Sequence, residues 1–307
     1  MQSPLEDEFD RRLRMTAMQW LDRETKQGSS PVTRVELSGF SFDGKRIALV
    51  DPQQGIRKPQ GLSAALSILT TYTRPGRQAP YNDLPGDDGM MRYKWRGLDP
   101  NHSDNRALRE ACRRNLPLIW FFGAAPGVYH AIYPVALVAE EPEQHQFVVS
   151  LAPDALAHGK VAYDLPQSAV ERAYAERLTR QRLHQPVFRA RVLQAYATSC
   201  AMCRLRHIEL LDAAHIVRDA SGGVAHVSNG LSLCKIHHAA YDANILGVRP
   251  DLVVVVREAV LRERDGPMLQ YGLQAMSGVE LTVPTVKANR PHKDALEQRY
   301  EEFRTAM

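Results

Sequence analysis

The chain has 307 residues, 44% of them apolar and 24% charged, the balance of a globular protein with room for two ordinary domains. There is no run of about 18 apolar residues, which excludes a transmembrane helix, and the charged opening MQSPLEDEFDRRLRM is unlike a secretory leader, so a cytoplasmic location without membrane contact is expected. The net charge of +4 permits a nucleic-acid partner without requiring one.

In chain order, residues 5–27 predict a polar helix. Strands are expected at 33–40 and 46–50, the latter entered through an Asp43-Gly44 turn. Leu62–Tyr72 reads as a helix, and 74–89 as a turn-rich stretch holding three prolines and three glycines. Arg106–Asn115 predicts a helix, and the apolar runs 117–123, 128–138 and 146–151 predict strands. Mixed strands with few helices point to a partly open β-barrel with long loops. From about 165 to 199 the pattern becomes helical and Arg-rich, with Arg172, Arg177, Arg180, Arg182, Arg189 and Arg191. The expected division is therefore 1–165 and 166–307. Beyond it lie a strand at Leu252–Val256, a helix at Met268–Met276 and a polar C-terminal helix at His292–Thr305.

Three of the four cysteines fall in CAMCRLRHIELLDAAHIVRDASGGVAHVSNGLSLCKIHHAAYD, residues 200–242. Cys112 stands apart in a helical stretch and reads as a buried thiol. Cys200-x-x-Cys203 and Cys234-x-x-His237 are two pairs with the spacing of a tetrahedral structural zinc site, and thiolates with imidazole suit that ion. Neighbouring side chains on a helix diverge by about 100°, so His237 and His238 cannot easily share one ion. With His237 on the zinc beside Cys234, His238 faces elsewhere and shares its face with Asp242, four residues on.

IELLDAAHIV reads as a strand, Gly222-Gly223 as a turn and Asn229-Gly230 as the approach to the last helix. Strand, strand and helix, with the words AAHI, NGLSLC and HHAAYD, resemble the ββα-metal finger of HNH nucleases over roughly Arg189–Val256. That resemblance implies a metal-dependent DNA endonuclease. It makes His215 the general base, His238 a ligand of a catalytic Mg²⁺ or similar divalent ion, and Asn229 the residue that orients the base or its loop. A near-neutral imidazole suits proton abstraction, and a divalent ion offsets charge on the phosphate and leaving oxygen. Many members of the family carry an Asp or His directly before the base, where this chain has Ala214. Asp212 and Asp242 are the candidates for the missing ligand, with strand alternation pointing Asp212 away from His215 unless the strand bulges.

In the first half, PYNDLPGDDGMMRYKWRG resembles the core of SRA domains, which flip a modified cytosine out of double-stranded DNA. That resemblance makes Tyr81 and Tyr93 the rings that sandwich the base and Asp83 the contact to its Watson–Crick edge, with Asp87 or Asp88 as alternatives. Arg57, Lys58, Arg74, Arg77, Arg92, Lys94 and Arg96 are spaced to meet phosphates. The expected fold is thus α+β, an SRA/PUA-like partly open barrel with flanking helices followed by a zinc-stapled HNH domain. Together the halves resemble a modification-dependent (type IV) restriction endonuclease. Double-strand cleavage by a single-site finger needs two copies acting on opposite strands, so a homodimer is expected. Two other functions fit the residues: an HNH nuclease that reads unmodified sequence, and a zinc-stapled DNA-binding protein without catalysis.

Overall fold

The computed structural model describes residues 4–28, 30–51, 53–74, 90–151, 185–218, 223 and 225–306. Two compact units divide the chain: Met1–Tyr72 with Gln78–Pro186, and Thr73–Arg77 with Val187–Met307. The boundary expected near 165 lies outside the described residues, as do Arg172, Arg177, Arg180 and Arg182.

The first unit opens with helix α1 (Pro4–Glu24). Asp10, Leu13, Arg14, Ala17, Met18 and Leu21 are all buried, a stripe at helical spacing that packs against Phe40, Leu66, Ile119 and Phe121. Inside that stripe Arg14 and Asp10 form a buried ion pair at 2.5 Å. The guanidinium also donates to Ala65 O (2.9 Å) and Pro117 O (2.7 Å), so the helix is tied to the starts of two neighbouring strands.

The expected strand 33–40 is mostly a helical turn. Only Val32–Thr33 (β1) is extended, and Arg34–Leu37 (α2) follows. Thr33 and Glu36 form a capping box, each side chain accepting from the other's backbone N–H, and that local pairing outweighs the alternation in the sequence. The Asp43-Gly44 turn is present and joins Ser41–Phe42 (β2) to Lys45–Arg46 (β3). Both turn residues have positive φ, 47° and 74°, as a two-residue hairpin requires.

The helix expected at Leu62–Tyr72 is corrected: its ordered part is strand β5 (Ser67–Thr70). The strand lies parallel to β7 (Leu118–Ala125) and antiparallel to β4 (Ile56–Arg57). Ala64, Ala65, Leu66 and Ile68 are fully buried, and an apolar run buried on every side carries no periodicity to separate helix from strand. β6 (Met91–Lys94), α3 (Ser103–Arg113), β8 (Val128–Glu141) and β9 (Gln146–Leu151) complete the unit. The sheet order is β4-β5-β7-β8-β9-β6, with β1 on β8. Register shifts at Leu118/Trp120, Gly123/Ala125 and Leu137/Ala139 bend the long central strands and curl the sheet into a half-barrel.

The second unit holds most of helix α4 (185–195) and a hairpin of β10 (Leu211–His215) and β11 (Gly230–Cys234). Helix α5 (Lys235–Asp242) follows directly, making a ββα unit. Another hairpin, β12 (Leu246–Val248) with β13 (Val254–Val256), and helices α6 (Glu258–Arg262), α7 (Pro267–Gly272) and α8 (Lys293–Thr305) enclose it. The helix expected over Met268–Met276 is α7 plus a separate 3₁₀ turn at Gln274–Met276. Buried Arg299 of α8 donates to Tyr241 O and Asn244 Oδ1, both at 2.6 Å, and so satisfies the C-terminal end of α5. No described helix is long and apolar enough to cross a membrane.

Candidate active site and metal centre

Cys234 is the last residue of β11 and the N-cap of α5, which places His237 one turn along the helix from it. The other pair comes from the turn at 200–205, pinned by Cys200 N–H to Leu205 O (2.9 Å) and by Arg204 N–H to Cys200 O (2.9 Å). The ligand atoms of Cys200, Cys203, Cys234 and His237 all lie within 4.8 Å of one another. His237 Nδ1 is 3.4 Å from Cys200 Sγ and 3.3 Å from Cys234 Sγ. With Zn–S and Zn–N bonds of about 2.3 and 2.0 Å, a tetrahedral site has edges of about 3.5 Å, so the four side chains fit a zinc ion.

The surroundings fit it as well. His237 Nε2 is 2.8 Å from Gly272 O, a donation that leaves Nδ1 as the nitrogen facing the sulfurs. Backbone N–H groups of Cys203, Leu205 and His237 point at the sulfurs of Cys200, Cys203 and Cys234 respectively, stabilising thiolates. The Cys203 and Cys234 thiols hold the Cys200 sulfur well below the ordinary thiol range, against the opposing effect of burial. Burial disfavours a charged His237, yet hydrogen bonds that its ring donates to the Cys200 and Cys234 sulfurs hold its pKa up to about 10. The cluster is arranged for negative sulfur facing positive charge, which is what a bound cation supplies.

The next residue on the helix belongs to a different group. His238 Nδ1 is 3.6 Å from Asp212 Oδ2, and His238 Nε2 is 3.3 Å from Asp242 Oδ2. The β10–β11 register is unbroken from Leu211↔Cys234 to His215↔Gly230, so β10 has no bulge. Alternation therefore sends Asp212 to the face opposite His215, and α5 presents His238 on that face. Arg189 Nε lies 3.2 Å from Asp212 Oδ1, and Arg189 Nη2 donates to Leu211 O (2.8 Å). Burial alone would lower the His238 pKa; the hydrogen bonds its ring donates to the Asp212 and Asp242 carboxylates outweigh it and raise it to about 9. Burial pushes the Asp212 carboxyl up, but His238 and Arg189 bring it below its ordinary value. His238 does the same for Asp242 directly.

His215 ends β10, partly buried, its ring stacked on Phe188 with centroids 4.1 Å apart and planes 16° from parallel. Asn229 brackets the segment just beyond it. Its Oδ1 accepts from Val217 N–H (2.9 Å), its Nδ2 donates to Val217 O (3.0 Å), and its carbonyl accepts from Ile216 N–H (2.9 Å). Gly223 lies against the same segment, where a Cβ would come within 1.9 Å of Val217 O. Sequence reasoning missed Phe188 altogether and gave Arg189 only a general basic role. An Arg-rich helix carries no signal for which of its residues will face a hairpin.

In the first unit, Tyr81 and Asp83, like Asp87 and Asp88, lie outside the described residues. Tyr93 sits inside the half-barrel at 5% exposure, its ring edge-on to Trp120 and its hydroxyl donating to Gly55 O (2.9 Å). Placed so, it presents no open ring face. Of the basic candidates, Arg77 lies outside the described residues, and five are engaged within the protein. Arg57 donates to Ala48 O and Lys58 to Leu62 O, Arg92 makes a two-pronged pair with Glu141, Lys94 reaches Gln144 O, and Arg96 pairs with Asp104.

Residues 200–249 match the family model described as HNH endonuclease. None of the curated proteins matches the chain. Among solved structures it is similar to the modification-dependent TagI restriction endonuclease, with 18% identity over 78% of this chain and 82% of that one, at a TM-score of 0.30. It is also similar to the type IV phosphorothioation-dependent restriction endonuclease ScoMcrA, with 12% identity over 80% of this chain and 60% of that one, at a TM-score of 0.23.

Proposed function

We propose, from the premise that residues 200–249 form the HNH domain of a metal-dependent DNA endonuclease, that the chain is a restriction enzyme directed at modified cytosine. The observation that carries the nuclease part is the division of labour along α5. His237 joins the closed Cys₃His cluster, while His238, its neighbour, stands between two carboxylates on a different face. In this assignment Cys200, Cys203, Cys234 and His237 hold a structural zinc. His238 with Asp242 holds the catalytic divalent ion, Mg²⁺ or similar, and Asp212 steadies His238 through its other nitrogen. When bound, that ion offsets the charge that builds up on the phosphate and leaving oxygen. His215 takes the proton of the attacking water, and Asn229 fixes the segment that carries it.

The recognition part rests on PYNDLPGDDGMMRYKWRG and on the separate half-barrel that holds its last strand. Tyr81 and Asp83 are proposed to meet a flipped 5-methyl- or 5-hydroxymethylcytosine. Tyr93 joins them as a stacking ring only if it leaves the barrel interior, since a flipped base needs an open aromatic face. Arg57, Lys58, Arg92, Lys94 and Arg96 would exchange their internal partners for phosphates. The enzyme is proposed to act in the cytoplasm as a homodimer, because one finger cuts one strand.

Plasmid DNA carrying cytosine, 5-methylcytosine or 5-hydroxymethylcytosine, incubated with enzyme and Mg²⁺, tests this directly. Cleavage confined to the modified plasmids is expected. Equal cutting of all three would point instead to an HNH nuclease that reads unmodified sequence. His215→Ala addresses the remaining alternative: a protein that only binds DNA shows no Mg²⁺-dependent nicking for the substitution to abolish.

A further inference from the structure

We infer that α4, which precedes the HNH-matched segment, completes the active site, and that Phe188 is the positioning residue for the base His215. The inference rests on the assignment of His215 as general base made above. A base must aim its lone pair, which lies in the plane of the imidazole, at the water it deprotonates. The terminal torsion of histidine is broad, so a partly exposed imidazole samples many planes. A ring stacked 4.1 Å away and nearly parallel removes that freedom and leaves both nitrogens, at the ring's edge, clear of the stacking partner.

Four further observations show that the approach of α4 is built in. Phe188, Val192 and Tyr196 are all buried and follow one another at helical spacing, so they form one face. Tyr196 donates its hydroxyl to Gly230 O (3.2 Å), and Gly230 is the residue paired with His215 across the hairpin. A Cβ on Gly230 would lie 2.4 Å from Val192 Cγ2 and 2.9 Å from Phe188 Cζ. Its φ of −130° is open to any residue, so the glycine is needed for clearance and not for backbone freedom. One residue along the helix, Arg189 reaches Asp212 and Leu211 O on the same strand as His215. Helix α4 therefore touches β10 near both of its ends.

Phe188→Leu in the full-length enzyme separates positioning from packing, because it keeps an apolar side chain and removes the flat ring. The expected result is a kcat lowered roughly tenfold or more, with KM within about twofold, since misorientation of a reacting group acts on the chemical step. Zinc content should be unchanged. The ring-proton NMR signals of His215, assigned by their loss in His215→Ala, should move as the ring current of Phe188 disappears. Should the leucine variant fold poorly, Phe188→Met is measured in the same way. A folded variant with wild-type kcat, while His215→Ala abolishes cleavage, overturns the inference and leaves the base assignment standing. Normal cleavage by His215→Ala overturns the base assignment, and the inference with it.

Discussion

The two groups that meet at α5 contain adjacent histidines, His237 and His238, and differ in almost every physical respect. The Cys₃His group is closed: three of its four members are buried, and its backbone N–H groups and the Gly272 carbonyl leave the donor atoms turned toward one another. The His238 group is open, with side-chain exposures of 23% for His238, 37% for Asp212 and 52% for Asp242. A closed tetrahedral set has no position for water or substrate and can only hold the chain together, whereas an open one keeps positions free for a phosphate and a nucleophile. The helix period does the sorting, since adjacent residues cannot face the same ion. One short helix of eight residues thus contributes a side chain to each of two different groups, which the proposed function assigns as staple and catalyst.

The sharpest way to break that comparison is to substitute the two neighbours. His237→Ala should cost the second unit its fold, because structural zinc in small domains contributes about 10 kcal/mol of binding energy that is also folding energy. Loss of zinc by metal analysis, together with loss of cooperative melting, is expected. His238→Ala should keep zinc and melting temperature close to wild type while lowering cleavage by roughly a thousandfold, on the scale of removing a residue central to catalysis. If both substitutions gave the same outcome, whether inactive and folded or unfolded, the division between staple and catalyst would collapse.

The pH dependence of ion binding sharpens the same contrast with a smaller effect. His238 is held up to about 9 by Asp212 and Asp242, so at neutral pH the imidazole is protonated and the proposed ion must displace that proton. Apparent affinity for Mn²⁺, followed by electron paramagnetic resonance, should rise about tenfold per pH unit from 7 to about 9 and then level off, with one proton released per ion. The sign for the ion-free protein is opposite. A pKa raised by folding adds stability that is fully present below the ordinary histidine range and fades as pH rises through about 9. An affinity flat across this range would remove His238 from the ligand set.

How much of this could be read from sequence follows from how local each signal is. Cys-x-x-Cys, Cys-x-x-His and the Asp43-Gly44 turn are short-range patterns whose geometry is set within a few residues, and the structure contains all of them. Thr33-x-x-Glu36 is equally local, and its helical turn was legible as a capping box that the alternation around it concealed. Strand β5 was not legible, because a fully buried apolar run looks alike in helix and sheet, and its partner β7 lies some fifty residues away. The roles of Phe188 and Asp212 depend on which face of α4 or α5 meets β10, a tertiary fact that no spacing within one element encodes. Of the SRA-like stretch, the described part holds only Met90 and the residues after it, and there the strand β6 turns Tyr93 inward.

The smallest expected effect decides what fills the place left by Ala214. Asp212 stands two residues before it on the same strand face, but its carboxylate is already shared, with His238 Nδ1 on one side and Arg189 on the other. A carboxylate neutralised by an arginine is a poor primary ligand and a good support, holding the imidazole so that Nε2 points to the more exposed Asp242. Asp212→Asn should then weaken Mn²⁺ binding by only about tenfold, the lower end of what loss of an outer partner costs, while Asp242→Asn weakens it further. Arg189→Met should act in the direction of Asp212→Asn, and the double variant should be less than additive because the two residues support the same imidazole. The reverse order, with Asp212→Asn the more damaging, would make Asp212 the ligand and Asp242 the support. The metal would then sit against the β10 side of His238, where Arg189 now stands.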